Sequence, residues 1–102
     1  MEANNQYACK DSFENFVLNR LSVFEFNNIK SIMKLGNKNE FTWFLRNPEK
    51  SGSVQMIKDL SFIIHVPTME LVTKYKVGYK YLTAMDLEDL KLFDQSDQQF
   101  KR

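Results

Sequence analysis

The sequence predicts an all-α protein, a small single-domain helical bundle with a C-terminal helix-turn-helix. Three observations carry that expectation. Apolar residues recur at three- and four-residue spacing in segments several of which open on cap-forming Asp or Asn residues. The composition is 43% hydrophobic and 14% aromatic with only 3 Gly and 2 Pro, which is the opposite of a disordered chain. At 102 residues there is room for one core.

The first helix is expected from an Asp11–Glu14 capping box, with Phe13, Phe16, Val17, Arg20 and Leu21 on one face. A second runs from Asn27 or Asn28 to Leu35 with Ile29, Ile32 and Met33 on one face, and Gly36 can supply its left-handed end. Phe41, Phe44 and Leu45 form the stripe of a third, capped by Asn39 and ended by Pro48. Its aromatic run also fits a strand, and helix is the preferred reading. Residues 47–53 are polar and form a loop. Val54, Ile57, Leu60 and Ile64 then mark a fourth helix that stops before Pro67, with residues 60–66 open to a strand reading. His65 stands alone at the end of that stripe, so its expected role is structural or capping. The domain is expected to span residues 1–93 and the polar tail residues 94–102.

Residues 68–85 have the pattern of two short helices crossing through a tight turn. Leu71, Val72 and Tyr75 would face inward from the first helix, Val77 would plug the turn, and Leu82 and Met85 would face inward from the second. That leaves Gly78, Tyr79, Lys80, Thr83 and Ala84 on the outer face of the second helix, where a recognition helix meets DNA. Lys74, Lys76, Tyr79, Lys80 and Thr83 are therefore the candidate DNA-binding residues, the lysines for phosphates and Tyr79 for sugar or phosphate.

The net charge is only +1, but it is unevenly spread. Residues 30–80 carry nine basic side chains against four acidic ones, whereas residues 1–29 carry two against four and residues 81–102 three against five. A basic middle can face phosphates, although a monomer has few cations beside the six to ten phosphate contacts of strong binders. Catalytic chemistry finds no constellation: His65 is isolated, Cys9 has no base near it in sequence, and no Gly-rich phosphate loop exists. Cys9 can form no disulfide within the chain and has no metal-ligand spacing around it, so neither a cofactor nor a metal is expected. With no apolar stretch of membrane-spanning length and a polar N-terminus, a cytoplasmic location away from membranes is expected. No small-molecule substrate is implied.

Residues 40–93 resemble the PapB-type regulators of fimbrial (adhesin) operons in enteric bacteria. The resemblance rests on Phe41-Thr42-Trp43-Phe44-Leu45, Met56-Ile57-Lys58-Asp59-Leu60, Glu70-Leu71-Val72-Thr73-Lys74-Tyr75 and Gly78-Tyr79-Lys80-Tyr81-Leu82. It implies an all-helical fold, self-association on DNA, and control of adhesin genes through AT-rich double-stranded sites. This chain departs from the family where Asp86, Glu88 and Asp89 stand in place of basic residues on the last helix. Nine Phe, four Tyr and one Trp exceed the needs of a core this small, so Trp43, Leu87, Leu92 and Phe93 are candidate homo-oligomer contacts. The rival expectation is a protein-binding adaptor or antagonist that has this helical shape and acts through its aromatic surface.

Overall fold

The structure, a computed structural model, describes residues 12–96. Seven helices fill them: α1 (Phe13–Leu18), α2 (Val23–Asn27), α3 (Ile29–Ile32), α4 (Lys38–Arg46), α5 (Val54–Ile64), α6 (Thr68–Tyr75) and α7 (Ala84–Ser96). No strand occurs among the described residues, so the runs at 40–45 and 60–66 are helical in their main part. The all-α bundle is as expected. No helix of the described residues is long and apolar enough to cross a membrane.

Local chemistry explains most of the helix starts. The Ser12 hydroxyl accepts from the Asn15 N–H and opens α1, and Asp11, the expected cap, lies outside the described residues. Ser22 and Glu25 form a reciprocal capping box for α2, which begins earlier than the expected second helix. Asn37, rather than the expected Asn39, accepts from the Glu40 N–H at the start of α4. Ser53 does the same for α5.

The helix ends differ from expectation at one point of principle. Gly36 does not take the left-handed conformation; Lys34 does, at φ 57°. The Leu35 N–H reaches back to Lys30 and the Lys34 N–H to Ser31, the paired closure that satisfies the last carbonyls of a helix. His65 (φ 60°) ends α5 and Lys76 (φ 59°) ends α6 in the same conformation. His65 is thus a capping residue, and it is exposed.

The core follows the apolar stripes. Phe13, Phe16 and Val17 of α1, Ile29 of α3, Phe41, Phe44 and Leu45 of α4, Ile57, Leu60 and Ile64 of α5, Leu71 of α6 and Leu90 of α7 are all buried. Phe13 meets Phe44 edge-on at 5.6 Å and tilts against Tyr75 at 5.5 Å, so α1 ties α4 to α6. Burying side chains of this size contributes about 1.5–3 kcal/mol each.

Helix α7 buries only Leu90 and is pinned mostly by polar contacts. Pro67 offers no side-chain cap to α6. Asp94 takes its place from across the fold, accepting from the N–H groups of Thr68 (2.8 Å) and Met69 (3.0 Å) and from the Thr68 hydroxyl (2.9 Å). The carboxylate also sits at the positive end of the α6 dipole. Residues 94–96 therefore belong to the fold and not to a polar tail. Asp94→Ala should lower stability by about 2 kcal/mol through loss of this cap, a decrease that urea unfolding would measure.

Candidate nucleic-acid interface

The candidate interface starts from the segment after α6. Lys76 and Gly78 both have positive φ, 59° and 73°, so a right-handed helix cannot run through them. Residues 76–83 are an extended turn, and the next helix begins only at Ala84. The expected second helix of a helix-turn-helix over residues 68–85 is absent. Its signal of termination was present in the sequence as Thr83-x-x-Asp86. The Thr83 hydroxyl accepts from the Asp86 N–H (3.1 Å), and the Asp86 carboxylate accepts from the Thr83 N–H (3.0 Å).

The inward set is corrected accordingly. Leu71 and Val77 are fully buried, and Val72, Tyr75 and Leu82 pack half-buried against the core. Met85 does not face inward; it is 82% exposed on the first turn of α7. Gly78, expected on an outer recognition face, is itself buried. A Cβ there would lie 2.7 Å from the Leu82 side chain, on top of the left-handed strain.

What holds this turn is the loop between α4 and α5. The Gly78 N–H donates to the Pro48 carbonyl (2.7 Å) and the Lys80 N–H to the Glu49 carbonyl (2.9 Å). Two segments about thirty residues apart in sequence are thereby fastened into one loop pair. Arg46, Asn47, Pro48, Glu49, Lys50 and Lys80 line a shallow depression of about 280 Å³ along it.

Cations and rings gather on this loop pair. Trp43 is 57% exposed and Tyr79 68% exposed. The Lys50 ammonium lies 6.0 Å from the Trp43 ring and the Lys76 ammonium 5.7 Å from the Tyr79 ring. Lys74 on α6 lies by α1 instead, 5.6 Å from the Phe16 ring that Arg20 also covers at 4.4 Å. Among the described residues, Lys50, Lys74, Lys76 and Lys80 form no ion pair, whereas Arg46 is paired with Glu14 (3.2 Å) and Lys58 with Asp89 (2.8 Å).

Of the expected DNA contacts, Lys74, Lys76, Tyr79 and Lys80 lie on exposed parts of α6 and the turn, and Thr83 is engaged as the α7 cap. Lys50 and Arg46 were not singled out: their charges were visible, but the loop pairing that brings them alongside Lys80 is made of backbone hydrogen bonds with no side-chain signature. The expected oligomer set divides between two surfaces. Trp43 belongs to the basic side, while Phe93 lines an apolar groove of about 300 Å³ with Ile32, Phe62 and Ile63. Leu92 is exposed and Leu87 half-buried. Among the described residues, no cluster of His, Cys, Asp or Glu could hold a metal ion. Cys9 lies outside them. No family model, no curated protein and no solved structure matches the chain.

Two outcomes test the loop architecture. Gly78→Ala should cost about 2 kcal/mol, because strain at positive φ adds to the clash with Leu82; a thermal melt would register it. Tyr81 has a buried phenol oxygen without a hydrogen-bond partner, and burial together with the nearby Asp86 carboxylate pushes its pKa above 10.0. The unfolded chain then loses this proton first, so stability is full below pH 10 and falls as pH rises through the folded pKa. Tyr81→Phe should abolish that alkaline loss and be neutral or stabilising by about 1 kcal/mol at pH 7, as melts at the two pH values would reveal.

Proposed function

We propose that the protein is a non-enzymatic, cytoplasmic DNA-binding regulator that holds the phosphate backbone on the loop pair between α4 and α5 and between α6 and α7. The observation that carries this reading is that Lys50, Lys74, Lys76 and Lys80 have no ion-pair partners among the described residues, and that two of them, Lys50 and Lys76, lie by the exposed rings of Trp43 and Tyr79. Lysines held this way gain most from phosphates, because binding releases the counterions condensed on the nucleic acid. With no recognition helix over residues 77–83, phosphate contact outweighs reading of base edges in the major groove. Four or five cations are few, so self-association, with Leu92 and Phe93 on the side of α7, would multiply the contacts. The resemblance to PapB-type regulators makes AT-rich stretches near adhesin genes the targets in this reading.

A second reading is favoured by one observation. Val23 and Phe24 on α2, together with Phe62 on α5, are exposed apolar side chains, and Phe24 is 71% exposed. Surface of this kind suits a protein partner, which would make the chain an adaptor or antagonist.

Salt separates the two. Fluorescence anisotropy with AT-rich and mixed-sequence DNA at two salt concentrations should show binding that weakens steeply as salt rises. Lys80→Ala should weaken it and lower the slope of log K against log salt by about 1 while leaving the fold intact. Absence of binding at low salt would replace the regulator reading with the adaptor reading.

A further inference from the structure

Resting on the reading of this face as a nucleic-acid surface, we infer that its preferred ligand is an unpaired strand, whose bases stack on Trp43 and Tyr79. The two rings are the feature that phosphate contact alone leaves unexplained. Large rings exposed to water carry a hydration cost that a base can relieve, and stacking on such rings is the common device by which proteins hold single strands without reading sequence. Each ring here has an ammonium over it, Lys50 at 6.0 Å from the Trp43 centroid and Lys76 at 5.7 Å from the Tyr79 centroid, a cation close enough to meet the phosphate of a strand passing the ring. Lys80 follows Tyr79 directly in sequence and lines the depression with Arg46, Glu49 and Lys50, the residue whose ammonium lies by Trp43.

The geometry also disfavours a paired ligand. Bases inside a duplex present only their edges, so neither ring could reach a base face unless the pair were opened. The element that would enter a major groove is a turn here, with Gly78 buried and Lys76 left-handed. Charge argues in the opposite direction, since a duplex carries the higher charge density and releases more counterions for each phosphate neutralised. A face that acted through its lysines alone would therefore prefer the duplex, and a preference for the single strand isolates the work of the rings. An affinity for AT-rich DNA follows from the same contact, because TA steps unstack and open most readily.

The test uses the full chain with a labelled oligothymidylate of twelve nucleotides and a labelled duplex of the same length, at one low salt concentration. Trp43 is the only tryptophan in the sequence, so its emission reports stacking directly. The expected result is tighter binding of the single strand with quenching of Trp43. Trp43→Ala should cost about tenfold in single-strand affinity and leave the duplex unchanged, while Lys80→Ala weakens both. Trp43 is exposed, and unchanged circular dichroism would verify that its variant folds; Tyr79→Ala provides the same comparison from the other ring. Equal or tighter binding of the duplex overturns the inference and leaves the regulator reading standing. Tighter binding of the single strand with unchanged Trp43 emission also overturns it. Binding of neither ligand removes the regulator reading as well.

Discussion

Two backbone hydrogen bonds hold the lysine- and ring-bearing side of this protein together: Gly78 to Pro48 and Lys80 to Glu49. A buried N–H must find a partner, and Gly78 is buried because Val77 beside it plugs the core. The turn after α6 therefore has to lie against the loop after α4. Gly78 permits this twice over, by adopting φ 73° and by leaving room for the Leu82 side chain. Once the two loops are fastened, Lys50 and Lys80 line one depression, and Trp43 and Tyr79 stand exposed beside their lysines. The charge and the rings are positioned by backbone geometry. Their own side chains make few contacts that would fix them.

Much of the bundle was legible because burial and helical period agree. Phe13, Phe16 and Val17, then Phe41, Phe44 and Leu45, then Ile57, Leu60 and Ile64 are both the spaced apolar residues of the sequence and the buried residues of the fold. His65 was legible as a cap by its isolation. The helix ends that were illegible share one cause, which is that a generic rule was satisfied by another residue. Gly36 is the residue expected to turn left-handed, yet Lys34 does so because Leu35 then packs against the core while closing α3. Lys76 behaves the same way at the end of α6. A lysine pays about 1–2 kcal/mol for that conformation, and tertiary packing outweighs it.

The candidate site was half legible for a related reason. Lys74, Lys76, Tyr79 and Lys80 were found by their types and by a template that assumed a helix from residue 77 onward. The template failed because Thr83 and Asp86 cap one another and set the start of α7 at Ala84. Met85 was thereby rotated out of the core, and Leu90 took the inward position. Lys50 and Arg46 could not have been placed beside Lys80 from sequence, since the pairing depends on carbonyls and N–H groups that every residue but proline carries alike.

The acidic last helix bears on how a chain of net charge +1 can present a basic face at all. Counted along the sequence, Asp86, Asp89 and Asp94 look like a surface that repels phosphates. In the fold each has a different partner: Asp86 caps α7 with Thr83, Asp89 pairs with Lys58, and Asp94 caps α6 through Thr68 and Met69. Carboxylates that accept hydrogen bonds from N–H groups at helix starts lie against the positive end of a dipole, which offsets part of their charge. The lysines of the loop pair have no such partners among the described residues. The difference between the two sets of charges lies in how they are compensated, and formal counting cannot register it. Asp86 and Asp94 are engaged in holding α7 and α6 in place and Asp89 in an ion pair, while Lys50, Lys76 and Lys80 stand unpaired among the described residues on the side where Trp43 and Tyr79 are exposed.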